Sequence, residues 1–148
     1  GVEAYKIADQ LASENICGAL WADWWGFKLE AYDGIEENIA LVDRAKGGCA
    51  IVHSDSSEGI QRLNQEAASP EHAITWITSN PAKALHIDAM TGSLSPGKMA
   101  DVVLWNGTPF STYAKAEQVY IDGALLYDRN NRSLQPKVDF LIGQEAQP

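Results

Sequence analysis

The first 88 residues alternate between helical and strand-like hydrophobic spacing, and this alternation is the strongest constraint on the fold. Apolar residues recur at helical spacing over 4–11, and the apolar run at 16–21 has the length of a strand. A second helical pattern over 33–46 precedes an apolar run at 49–52. Elements in this order predict parallel strands joined by right-handed crossovers, which is an α/β fold.

The helix over 33–46 carries its own start and stop signals. Asp33 and Glu36 have the spacing of a capping box, and Gly47 follows as a helix terminator. Three further helices are predicted over 58–67, over 71–79, and over 80–86, the last with Asn80 as its cap and Pro81 as its first residue.

The pattern changes near Met90 to one typical of β structure. A nearly continuous apolar run at 100–105 predicts a strand. Asp122 and Gly123 separate two strand-like segments within 118–128, and this pair is a strong hairpin signal because both central residues of a type I′ turn need positive φ.

The length and charge of the chain exclude several classes of protein. Its 148 residues cannot hold a complete (β/α)8 barrel, which needs about 250. A formal net charge of −9 disfavours nucleic acid and anionic membrane surfaces as partners. No apolar run approaches the roughly 18 residues of a membrane span. Small molecules and proteins remain as partners, and the sequence leaves the compartment undetermined.

The two cysteines each open an apolar run. Cys17 and Cys49 therefore predict buried thiols rather than a disulfide framework or a CxxC metal site.

Polar residues follow the strand predicted at 49–52. His53 and Asp55 are two residues apart, so on an extended backbone both point to the same face. A carboxylate at a strand end can bind a metal ion and accept a proton from bound water. The structural alternative is that Asp55 caps the next helix and that His53 is a hydrogen-bonded interior residue.

A second group of candidate residues lies in the aromatic-rich loop after the first strand. Trp24 and Trp25 can wall a substrate pocket, and Lys28 or Arg62 can meet an acidic group on a ligand. The alternatives are packing of the aromatic rings against neighbouring loops and, for Arg62, a solvated helix face.

The order of motifs resembles the carboxyl-terminal part of the metal-dependent amidohydrolase superfamily, in the branch of imidazolonepropionase-like and Xaa-Pro dipeptidase-like members. The most specific segment is TSNPAKALHID, from Thr78, followed after a short link by TGSLSPGKMADVVLW. HSDS, from His53, stands where the family places an aspartate at the end of its eighth barrel strand, and VYIDGALLYD, from Val119, is similar to the closing hairpin.

The resemblance implies the architecture. Residues 1–88 would form the last βα units of an incomplete (β/α)8 TIM-type barrel, with the sixth helix at 1–13 and the seventh and eighth strands at 17–23 and 49–55. Residues 89–148 would form the carboxyl-terminal share of a flanking β-sandwich domain. The chain, which starts with Gly1, is thus expected to begin in the middle of the fold.

The resemblance also implies hydrolysis of C–N bonds by water activated on one or two zinc ions. Asp55 would be metal ligand and general base, and His53, one inward-facing position deeper, would orient Asp55 or fill the barrel. The substrate would be a small amide, a cyclic amide or a dipeptide-like molecule. The other family metal ligands have no counterpart in this sequence, and zinc needs at least three protein ligands. We therefore expect this chain alone neither to bind zinc nor to turn over substrate without the amino-terminal part of the same protein.

One alternative from another class stays open at this point. The 148 residues can be a free-standing α/β domain that binds a ligand or partner without catalysis. A fragment is expected to expose strand edges and therefore to aggregate or to form a homo-oligomer, whereas a free-standing domain is expected to be a monomer.

Overall fold

The computed structural model describes residues 1–21, 24, 26–53 and 69–136. Up to β2 its helices and strands alternate as the sequence predicts. The strands are β1 (Gly18–Leu20), β2 (Ala50–Val52), β3 (Val102–Trp105), β4 (Ala116–Ile121) and β5 (Ala124–Asp128). The helices are α1 (Ala8–Ser13), α2 (Asn38–Arg44), α3 (Pro70–Ala73) and α4 (Ser79–Ala84), with 3₁₀ turns at Ala4–Ile7, Leu29–Ala31, Ile74–Ile77 and Arg132–Leu134. The helix predicted over 58–67 lies outside the described residues.

The centre of the first half is a parallel pair of strands. β1 pairs with β2 in the register Gly18 to Ala50 and Leu20 to Val52, as the α/β pattern predicts. Helix α2 packs against both strands, because its apolar stripe at 39 and 42 faces them. The buried core consists of Leu20, Ile39, Val42, Ala50, Ala73 and Trp76.

The prediction of two unpaired thiols is wrong. Cys17 and Cys49 form a disulfide with their Cα atoms 4.5 Å apart. Each residue directly precedes its strand, and the parallel register therefore places the two side by side although 32 residues separate them in sequence. Cys49 is buried, as expected, and Cys17 is half-buried.

Helix α2 begins later than its capping signal predicts. Its first residue is Asn38, and the residue before it makes no side-chain capping bond. Asp33 instead accepts a hydrogen bond from Lys6 Nζ at 2.8 Å, and its backbone carbonyl accepts one from the Tyr5 hydroxyl at 2.8 Å. The carboxylate that could have capped α2 thus joins the first turn of the chain to the loop before the helix.

Asn80 also departs from its predicted capping role. Helix α4 begins at Ser79, two residues before the predicted first residue Pro81. The Asn80 side-chain amide donates to the backbone oxygen of Ala50 at 2.8 Å, so it connects α4 to β2. The helix ends at Ala84, and His86 beyond it adopts a left-handed φ of 57°.

A half-buried carboxylate connects α2 to α3 and the turn after it. Asp43 accepts hydrogen bonds from the Trp76 indole nitrogen at 2.9 Å and from His72 Nε2 at 2.8 Å. Trp76 is almost fully buried, so its N–H group needs this partner.

The last third is an antiparallel sheet with strand order β3, β4, β5. The predicted hairpin is confirmed, since β4 and β5 flank Asp122 and Gly123, whose φ values are 49° and 79°. Positive φ at both central residues is the condition for a type I′ turn.

Asp101 holds the loop before β3 against this hairpin. Its carboxylate accepts the backbone N–H of Asp122 at 2.9 Å and the Thr91 hydroxyl at 2.8 Å, and these two donors lower the pKa of Asp101. Lys98 closes the same loop by donating to Ser93 Oγ at 2.7 Å and to a backbone oxygen at Asp88. The TGSLSPGKMAD segment therefore forms a hydrogen-bonded connection between α4 and the hairpin.

Within the described residues, no helix combines the length and apolar composition needed to span a lipid bilayer.

Replacing Gly92 by alanine should destabilise the protein more than the same change at Gly97. Both glycines have positive φ, 85° and 88°, so the backbone cost is matched. A Cβ at Gly92 would lie 2.5 Å from the Ala82 Cβ and 3.1 Å from the Thr78 carbonyl oxygen, whereas nothing lies within 4 Å at Gly97. We expect urea unfolding to show an additional loss of about 1–3 kcal/mol for Gly92→Ala. Equal losses in the two variants would contradict this close approach.

Candidate functional site

The carboxyl ends of β1 and β2 lie at one edge of the parallel pair. Trp21 directly follows β1 and His53 directly follows β2. The backbone N–H of His53 donates to the Leu20 carbonyl oxygen at 2.9 Å, which continues the ladder past the last residue of β2. In parallel α/β folds this is the edge where functional groups collect.

Gly1 lies beside the same edge. Its nitrogen donates to the Ala19 carbonyl oxygen at 2.6 Å, and the N–H of Trp21 donates to the Gly1 carbonyl oxygen at 3.1 Å. In a parallel bridge, one residue makes hydrogen bonds to two residues of the neighbouring strand that are two positions apart in sequence. Gly1 has this pattern with Ala19 and Trp21. The backbone hydrogen bonds of Gly18 and Leu20 point toward β2, whereas those of Ala19 and Trp21 point the other way, toward Gly1. Gly1 therefore lies on the side of β1 opposite to β2.

Four rings form a row along this edge. The ring centroids of His53 and Trp21 are 3.9 Å apart with their planes at 32°, and Trp21 is 4.4 Å from Trp24. Phe27 extends the row, 4.7 Å from Trp24. The sequence-predicted residues Trp24 and His53 are thus brought together through Trp21, which sequence reasoning treated only as the end of a strand.

Lys28 lies next to this aromatic row but already has an acidic partner. Its ammonium group is 5.7 Å from the Trp24 ring centroid and 3.0 Å from a Glu30 carboxylate oxygen. The pKa of Glu30 is lowered, first by its own backbone N–H and then by Lys28. Both side chains are exposed, so the pair is a weak, exchangeable contact.

Asn38 lies at the carboxyl end of β1 and was not predicted from the sequence. Its side chain is fully buried and uses all of its polar atoms: Oδ1 accepts from the Tyr5 N–H at 3.0 Å, and Nδ2 donates to the carbonyl oxygens of Gly1 and Trp21, each at 3.0 Å. The amide therefore fixes the carboxyl end of β1 against residue 1. The one sequence signal is an asparagine placed next to the apolar stripe of a helix.

Three predicted site residues, Asp55, Trp25 and Arg62, lie outside the described residues, and their roles stay predictions. Within the residues that the structure describes, no group of three or more His, Cys, Asp or Glu side chains is placed to hold a metal ion. At the described part of this edge, His53 is a residue of a type that binds metal ions. A zinc site needs at least three protein ligands, so His53 alone does not form one.

Comparisons with known proteins identify relatives of one kind. A sequence model of the amidohydrolase family matches residues 34–136. The chain is 38% identical over 132 residues to adenine deaminase 2 of Jannaschia sp. (strain CCS1). The aligned segment covers 86% of this chain and 19% of that protein. A 38-residue stretch is 53% identical to the imidazolonepropionase of Pseudomonas syringae pv. tomato, covering 26% of this chain and 10% of that protein.

A solved structure has a similar fold. The amidohydrolase from Thermotoga maritima MSB8 superposes with a TM-score of 0.75 at 32% sequence identity, covering 87% of this chain and 36% of that one. The chain therefore spans between 10% and 36% of the lengths of these three relatives.

Replacing Asn38 by leucine, which has a similar volume, should destabilise the carboxyl end of β1. The Tyr5 N–H and the Trp21 carbonyl oxygen would lose their partner, at about 1–3 kcal/mol for each group left unpaired, whereas the Gly1 carbonyl oxygen would keep the Trp21 N–H. Urea unfolding measures the loss, and Asn130→Ala at an exposed position is the control with little effect. An Asn38→Leu protein as stable as that control would contradict the role of the buried amide.

Proposed function

The chain belongs to the amidohydrolase family, and from this membership we propose that it is the carboxyl-terminal part of a metal-dependent hydrolase that cleaves C–N bonds. The family predicted from the motifs around Thr78 is confirmed, and the imidazolonepropionase relatives agree with the predicted branch. The observation that carries the proposal is the family match over 34–136, which includes the carboxyl end of β2.

We propose that residues 1–88 are the last βα units of a TIM-type barrel. The parallel pair β1 and β2 would be its seventh and eighth strands, and the helical segment after Gly1 its sixth helix. The parallel bridge between Gly1 and the far side of β1 supports this assignment, because it is the contact that the end of a sixth strand would make.

Residues 89–148 are proposed to be the carboxyl-terminal share of a composite β-sandwich. Apolar side chains in all three strands of the second sheet stay exposed, which supports a covering layer supplied by the amino-terminal part of the same protein. These side chains are Val103, Leu104, Trp105, Ile121 and Leu126.

We propose Asp55 as the catalytic carboxylate, in the two roles of metal ligand and general base. Its position in the sequence supports this, because it follows His53 by two residues and His53 directly follows β2. A metal ion bound there would supply an activated water molecule, and a carboxylate oxygen can accept that water's proton and deliver it to the departing nitrogen.

The described residues do not by themselves fit a metal ion, since a zinc site uses at least three protein ligands. We therefore propose that the other ligands of one or two zinc ions come from the amino-terminal part of the protein. His53 would act beside Asp55, held in place by its stacking on Trp21.

The proposed substrate is a small amide, a cyclic amide or a dipeptide-like molecule. Relatives named adenine deaminase and imidazolonepropionase support a small molecule with a C–N bond. Trp24, with Trp25, is proposed to pack against its apolar part, and Lys28 or Arg62 to meet an acidic group. The row of rings that includes Trp24 supports an apolar wall at this edge.

In the complete polypeptide, Asp55→Asn should lower kcat by about 10²- to 10⁴-fold, because the amide cannot accept the proton of the attacking water. Release of ammonia from adenine and hydrolysis of a panel of cyclic amides and Xaa-Pro dipeptides measure this loss. The matched control is Asp9→Asn, an exposed carboxylate in the first turn of α1. An Asp55→Asn enzyme as active as the control would contradict the proposed role.

The 148-residue chain alone should not retain zinc or hydrolyse these substrates. Dialysis against zinc followed by metal analysis should find far less than one ion per chain, because too few ligands are present. A stoichiometric, tightly bound ion would contradict the ligand count. Two results together would instead favour a binding domain without catalysis. The chain alone would unfold cooperatively as a monomer, and the complete polypeptide would contain no metal ion.

A further inference from the structure

The disulfide and the stacked rings lie at opposite ends of the same pair of strands. Cys17 precedes β1 and Cys49 precedes β2, whereas Trp21 and His53 follow them. Each ring-bearing residue is four positions beyond its cysteine. At about 3.3 Å per residue the crosslink is therefore roughly 13 Å from the row of rings, on the same two strands.

We propose that the Cys17–Cys49 disulfide is a redox-sensitive positioning device for the functional edge, by which we mean the carboxyl ends of β1 and β2 with Trp21 and His53. The disulfide holds the register that stacks His53 on Trp21. The role of that edge in catalysis rests on the proposed function, but the coupling between the crosslink and the edge does not.

The shortness of the two strands is the first argument. β1 and β2 have three residues each, and the ladder bonds around them include Gly18 N–H to Cys49 oxygen at one end and His53 N–H to Leu20 oxygen at the other, both 2.9 Å. A slip of one residue would turn every side chain of a strand to the other face. A covalent bond between Cys17 and Cys49, the residues directly before the two strands, prevents such a slip.

The equal spacing is the second argument. Cys17 and Cys49 are neighbours in the strand register, and each is followed after four residues by a ring-bearing residue. Trp21 and His53 are therefore also neighbours, with their ring centroids 3.9 Å apart. Asn38 holds the Trp21 carbonyl oxygen, but the described contacts of His53 are its backbone bond to Leu20 and its stacking on Trp21. The position of His53 therefore depends directly on the register of β2 against β1.

The two crosslinked residues differ in exposure. Cys49 is buried and Cys17 is half-buried, so the side of Cys17 is the one from which a dithiol reductant would approach. Reduction breaks the S–S bond, places two electrons and two protons on the two sulfurs, and leaves the reductant as a disulfide. The bond persists in an oxidising environment and opens in a strongly reducing one.

Hydrogen exchange read by mass spectrometry tests this coupling in the complete protein, oxidised and then reduced with dithiothreitol. In the oxidised protein, alkylation should find Cys17 and Cys49 joined. On reduction, exchange of the peptides that contain Trp21 and His53 should become at least about tenfold faster, while the hairpin 116–128 stays protected. Reoxidation with oxidised glutathione should restore the protection.

The double variant Cys17→Ala/Cys49→Ala is the control. It should exchange as the reduced protein does at the functional edge, and reductant should not change it further. Unpaired thiols in the oxidised protein, unchanged exchange on reduction, or equal loss of protection in the hairpin would each overturn the proposal. Since no substrate is involved, these results are independent of whether the proposed hydrolase activity is correct.

Discussion

The parallel pairing of β1 with β2 is the constraint on which the rest of the first half depends. It brings Cys17 beside Cys49 at one end and Trp21 beside His53 at the other, although 32 residues separate each pair in sequence. Helix α2 covers the pair with Ile39 and Val42, so the hydrophobic core and the functional edge are set by the same register. A fault in this pairing would therefore disturb packing and site together.

Local sequence signals predict those parts of the fold that local chemistry decides. The alternation of helix and strand and the hairpin at Asp122 and Gly123 are confirmed, since apolar periodicity and positive φ act over a few residues. The parallel pairing is confirmed as well, because a helix between two strands is the connection that parallel neighbours require. The helix start at Asp33 is wrong because that carboxylate is bound by Lys6, which is 27 residues away. Capping rules cannot anticipate such a distant partner.

The candidate site shows the same division. Trp24 and His53 could be chosen from their place after strands, but the disulfide and Asn38 could not, because both depend on which distant segments meet. A buried asparagine is costly unless its amide is satisfied, and here three bonds satisfy it. The sequence thus indicates where chemistry is expected, while the contacts that hold the site come from tertiary structure.

The electrostatics of the edge set a condition on how it can recognise an acidic ligand. Lys28 is held by Glu30 at 3.0 Å, so a ligand carboxylate must replace that partner. The exchange costs little, because an exposed ion pair contributes only about 0–1 kcal/mol. The chain has a net charge of −9, which would repel the proposed anionic group at long range, so such a group would gain its affinity on contact. Under the proposed function, apolar contact with the aromatic row would therefore govern recognition at this edge, and charge would refine it.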